Sequence, residues 1–157
     1  MITFSQYMTE VFDKPLKFKE ILWMELDVFT YIFKLDDKNY YRVFFEKKPN
    51  KNNEYSITFD HVDTEDKLFS EKGGKYSVLS SKNSIKVFST VVAIVKDFYN
   101  NNKDVNGFYF TASPESSGRQ ALYLRFAKNI ASSLGWVIDM DKAKNGIYHI
   151  QKKYGIK

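Results

Sequence analysis

Few groupings of residues in this 157-residue chain could do chemistry. The densest is Arg119, Tyr123 and Arg125. Arg119 and Tyr123 stand at i and i+4, so in a helix they share one face. Two guanidiniums beside a phenol suit an anion or a partner protein. The alternative is that Arg119 pairs with an acid from the first half of the chain while Tyr123 fills core. Only two histidines exist, His61 and His149, each in a stretch of strand composition. No third ligand type clusters beside either, so both read as structural or surface residues and no metal is expected. Asp60, Asp63, Glu65 and Asp66 crowd the end of a strand pattern and read as a solvated loop. A metal-dependent nuclease would need its carboxylates on rigid neighbouring strands. Lys72-Gly73-Gly74-Lys75 lacks the spacing of a phosphate loop and reads as a turn. There is no cysteine, which excludes disulfides, thiolate metal sites and a cysteine nucleophile. No Ser-His-Asp order or nucleophile elbow occurs. No residue is therefore assigned as catalytic, and no cofactor is expected.

The charge is lopsided. Residues 1–80 carry 12 Lys/Arg against 14 Asp/Glu, a net of −2, and residues 81–157 carry 12 against 5, a net of +7. A basic half steers toward an acidic protein or toward weak, non-specific binding of nucleic acid, although it also fits a plain solvated Lys-rich surface. No stretch reaches 18 uncharged apolar residues, and the first residues lack the pattern of a secretory leader. The expectation is a soluble protein of the cell interior, or of a particle assembled there, with no membrane partner. At 43% hydrophobic residues, with 14 Phe and 11 Tyr, core material is ample for one domain over 1–157. Such a chain buries about 70% of its unfolded surface.

Elements must hold these residues in place. Thr3-Phe4-Ser5-Gln6 starts a helix with Phe4, Met8, Val11 and Phe12 on one face, and Pro15 ends it. Val28–Leu35 and Tyr40–Glu46 are rich in aromatic and β-branched types around a turn at 36–39, the mark of a hairpin. Glu54–Val62 alternates Tyr55, Ile57, Phe59 and His61 against Ser56, Thr58 and Asp60, completing an antiparallel meander with one wet face. The aromatics of these strands could stack single-stranded bases, but core or a subunit interface fits this acidic half better. Gly73-Gly74 marks a turn before a short strand at Lys75–Leu79. The spacing Ile85, Phe88, Val91, Val95, Phe98 predicts a helix over Ser84–Tyr99 despite its Val-rich centre. Val105–Ala112 has strand composition between two helices and is expected in a covered, parallel position. Ser113-Pro114-Glu115 opens a second long helix, to Leu134, with Gly135 as its left-handed cap. Trp136–Met140 and Gly146–Gln151 read as a closing hairpin. The fold class is α/β (α+β): an N-terminal helix and a meander, then helix, strand, helix and hairpin.

Two resemblances follow. Gly118-Arg119-Gln120-Ala121-Leu122-Tyr123, ending in Leu134-Gly135-Trp136, resembles the last signature of GCN5-related acetyltransferases, over roughly residues 84–152. The resemblance implies an acetyltransferase-like mixed sheet and gives Tyr123 the role of the acid that reprotonates the thiolate of coenzyme A. The family's glycine cradle for the pyrophosphate is replaced here by Ser80-Ser81-Lys82-Asn83-Ser84, so the resemblance implies the fold without the cofactor. The whole chain is also similar to small proteins of tailed bacteriophages, cyanophages and other marine phages especially. Phe4-Ser5-Gln6-Tyr7, Phe12-Asp13-Lys14-Pro15, Val87-Phe88-Ser89-Thr90-Val91, Ser117-Gly118-Arg119 and Leu122-Tyr123-x-Arg125-Phe126 carry that likeness. It implies a non-enzymatic phage protein acting by protein contact, in the virion or on a host protein in the cytoplasm, alone or as a homo-oligomer. An acetyl-coenzyme A-dependent acetyltransferase is the enzyme alternative, and a nucleic-acid binder is the third.

Overall fold

The computed structural model describes residues 15–21, 28–49, 52–69, 81–111 and 117–152. The expected N-terminal helix, the Gly73-Gly74 turn, the strand at 75–79 and the Ser113-Pro114-Glu115 start lie outside them. Described strands are β1 (Phe18–Ile21), β2 (Val28–Asp36), β3 (Asn39–Lys47), β4 (Glu54–Val62), β5 (Gly107–Thr111), β6 (Val137–Ile138) and β7 (Ile147–Gln151). Helices are α1 (Ser81–Asn101), α2 (Ser117–Leu134) and the short α3 (Met140–Ala143), with a 3-10 turn at Asp66–Phe69. This is a mixed α+β fold with one seven-stranded sheet ordered β1-β2-β3-β4-β5-β7-β6. Strands β4 and β5 run parallel, as expected for a strand reached through a crossover helix. Packing groups the chain into two compact units, 1–44 with 58–94 and 45–57 with 95–157, whose boundaries cut through β3, β4 and α1.

In the first unit, Asp36 shapes the β2–β3 turn. Its Oδ1 accepts from the Lys38 N–H at 2.9 Å and the Asn39 amide at 2.7 Å, the Asx geometry that the Asp-Asp-Lys-Asn run favours. The predicted wet face is there only in part: Lys34 and Thr58 are exposed on it, but its other end is covered. Tyr31, Ile32 and Phe33 are all buried, as are Tyr40, Tyr41, Arg42 and Val43, so both faces of the hairpin are covered there. On one face Phe33 stacks on Tyr41 at 5.2 Å, Phe18 meets Tyr31 edge-on, and α1 brings Phe88 against Phe59. On the other, Ile32, Tyr40 and Val62 form a cluster closed by Leu68 of the 3-10 turn. That four-residue turn is too short to leave a periodic trace in sequence, which is why its face read as solvent.

Tyr41 carries an oddity. Its hydroxyl is buried and has no hydrogen-bond partner among the described residues. Burial pushes the phenol up to about 12, with the Asp36 charge adding to the shift. Below the ordinary tyrosine range both folded and unfolded chains hold the proton. Between pH 10 and about 12 only the folded chain does, so stability is lost as pH rises through that window. Tyr41→Phe should flatten that loss in urea denaturation measured from pH 8 to 12. Near neutrality it should also raise stability by about 1 kcal/mol, because an unsatisfied buried hydroxyl is removed.

In the second unit, α1 delivers Phe98 into a cluster with Phe45, Tyr55 and Phe108. Helix α1 runs three residues earlier and two later than the spacing predicted. Helix α2 lays Phe126 and Tyr123 on Phe110, which stacks on Tyr148 of β7. Its end is as predicted: Gly135 has φ +71°, the Trp136 N–H donates to Ala131 O at 2.8 Å, and the Gly135 N–H donates to Ser132 O at 3.3 Å. These two bonds satisfy carbonyls the helix leaves open. Trp136 then folds back, stacked on Phe108 with Tyr99 at its edge.

Candidate functional site

The closing hairpin predicted over 136–151 is interrupted. Strands β6 and β7 pair antiparallel, Val137 with Gln151 and Ile138 with Ile150, but α3 stands between them. Asp139 starts that helix. Its Oδ1 accepts from the Asp141 and Lys142 N–H groups, each at 3.1 Å, while its own N–H donates to His149 O at 3.0 Å. An aspartate in this position satisfies donors that a helix start leaves open. Gly146, at φ +76°, returns the chain to β7.

A side-chain bridge fastens α3 to the sheet. Lys142 Nζ lies 3.2 Å from His149 Nδ1, and His149 Nε2 lies 2.6 Å from Glu54 Oε1. An ammonium can only donate and a carboxylate accepts, so the ring takes the tautomer with its proton on Nε2. Both ring nitrogens are thereby used. The bridge crosses β5 at Gly107, the register partner of Glu54 in β4 and of Gln151 in β7. A Cβ at Gly107 would stand 3.0 Å from Glu54 Cγ, so the absence of a side chain there lets Glu54 reach His149. On the same face, Tyr109 is the register partner of His149 and carries Lys48 Nζ 3.6 Å above its ring.

What this scaffold holds outward is apolar. Among the described residues four large hydrophobic side chains are exposed, and three of them, Val137 (42%), Met140 (47%) and Ile147 (41%), fall in this one eleven-residue run. Charged Asp141, Lys142 and Lys144 lie between Met140 and Ile147. Apolar side chains held on a pinned segment at the rim of a sheet, flanked by charge, are what a protein contact uses.

Of the residues singled out from sequence, Arg119, Tyr123 and Arg125 lie on α2 rather than on this segment. Tyr123 is half-buried, its ring 6.1 Å from Phe110 and 6.4 Å from Tyr148, which is the core reading of that residue. Arg125 is exposed on α2, and Arg119 lies on the same helix with its side chain outside the described set. His61 is placed as predicted, on β4 with Nε2 2.7 Å from Asn39 Oδ1 and its ring 5.1 Å from Tyr41. Asp60 is a correction. It is buried rather than solvated, and its carboxylate takes two bonds from Arg42, Nε at 2.8 Å and Nη2 at 2.6 Å. Asp63, Glu65 and Asp66 are exposed, and Asp63 pairs with Lys67. Among the described residues no group of three His, Cys, Asp or Glu could hold a metal ion, and no helix is long and apolar enough to cross a membrane. His149 was seen in sequence but its role was not: Glu54 is 95 positions away, and only the strand pairing joins them. No family model matches this chain, and no curated protein matches it either.

Proposed function

We propose that the chain is a non-enzymatic phage protein that works by contact with another protein, in the virion or on a host target in the cytoplasm. The β6–α3–β7 segment is its contact surface. The observation that carries this reading is the concentration of exposed Val137, Met140 and Ile147 on a segment fastened by the Glu54–His149–Lys142 bridge. A pinned segment loses little conformational freedom on binding, so apolar burial there converts into affinity with a smaller entropic cost. The likeness of the whole chain to small tailed-phage proteins supplies the setting. The acetyltransferase reading is ranked below it, because Tyr123, which would have to meet a departing thiolate, packs instead against the stacked Phe110 and Tyr148 rings. Mass spectrometry of purified particles and native-size separation of infected-cell extract test the reading together. The protein should co-migrate with particles or with a larger host assembly. A chain found only at the size of the free monomer in both samples would overturn it.

A further inference from the structure

A second surface lies in the first unit and is independent of the contact segment. Beside the edge strand β1, a cleft of about 290 Å³ opens between β1–β2–β3 and the 3-10 turn at Asp66–Phe69. Its floor is apolar: Ile32, Tyr40 and Leu68, three members of one buried cluster. Phe69 lines it while remaining 57% exposed, the most exposed large hydrophobic among the described residues. An aromatic ring left in water at the mouth of an apolar hollow is stabilised by whatever closes over it.

The rim has one dominant sign. Lys17 and Lys19 on and before β1 and Lys34 on β2 line the cleft, against the single carboxylate of Glu65. The register that pairs Phe18 with Phe33 and Lys19 with Ile32 sets Lys17 and Lys19 on the same face as Ile32. Lys34 is partly spoken for, since its Nζ lies 2.7 Å from Asp37 Oδ1. Lys17 and Lys19 are both exposed. The geometry points to a small amphipathic carboxylate as the ligand. Its apolar chain would lie on Ile32, Tyr40 and Leu68 beneath Phe69, with its anionic head between Lys17 and Lys19. The volume is at the low end for a small-molecule site and admits a medium-length chain rather than a large cofactor.

The test is methyl NMR titration of the full chain with octanoate, octylammonium and acetate, following Ile32 and Leu68. Octanoate should give saturable shifts below its micelle concentration, octylammonium should bind at least about tenfold more weakly, and acetate should leave these methyls unmoved. Lys17→Glu with Lys19→Glu, both at exposed positions, should weaken octanoate about tenfold or more without lowering the melting temperature. Phe69→Ala should weaken octanoate and octylammonium alike. No saturable octanoate shift, octylammonium binding as tight as octanoate, or octanoate binding indifferent to the charge reversal would each overturn the assignment.

Discussion

Asp60→Ala should lower the stability of the folded chain by about 3–5 kcal/mol in urea denaturation, more than any surface substitution. The removed carboxylate is the main partner of Arg42, whose side chain is 2% exposed. The guanidinium also has a 3.3 Å contact to Lys67 O and lies over the Phe44 ring, 5.3 Å from Cζ, neutral groups that do not replace a carboxylate. A cation held out of water without this carboxylate is the costly state, so the loss measures the burial of the charge rather than the strength of the pair. Replacing both partners, Arg42→Met with Asp60→Leu, should therefore recover most of the loss. A single substitution costing less than about 1 kcal/mol, the range of an exposed pair, would show that the two groups are hydrated.

Phe98→Ala should cost about 3–5 kcal/mol as well, by a different route. Phe98 is fully buried, stacks on Phe45 with ring centroids 4.2 Å apart, and meets Tyr55 and Phe108 edge-on at 5.1 and 6.0 Å. One ring thus ties α1 to β3, β4 and β5. Truncation loses its burial, these aromatic contacts and the packing around the void. Phe98→Leu, which refills most of the space, should cost clearly less. Similar losses for alanine and leucine would mean that ring geometry, and not volume, holds the helix.

The two cases mark what was legible in the sequence. Aromatic and β-branched runs located β2 and β3 to within a residue or two, and β4 fell on Glu54–Val62 as expected, because those runs end at turn-forming Asp, Asn and Lys. Phe98 was readable too, since its position follows from helical spacing. Asp60 was not. The alternation in β4 set it on a wet face, and the cation that makes its burial tolerable is 18 positions away on β3. The available signal was Arg42 itself, a lone charge inside Tyr-Tyr-Arg-Val-Phe-Phe, where an ion must find a partner on a neighbouring strand. The β6–α3–β7 segment was the least legible part. Four residues of helix carry no period, so all of α3 but Met140 passed for the turn of a hairpin. The bridge that fastens the segment joins residues far apart in sequence.

The central claim is that Val137, Met140 and Ile147 meet another protein. A photo-crosslinking residue at position 140, activated in the infected cells that the proposed phage setting calls for, tests it most directly, with the same residue at exposed Lys128 on α2 as the comparison. The account predicts one adduct of discrete mass from position 140 and none from 128. That adduct should be lost when Val137→Asp and Ile147→Asp are introduced, with the melting temperature unchanged. No adduct at 140, or an equal one at 128, would contradict it.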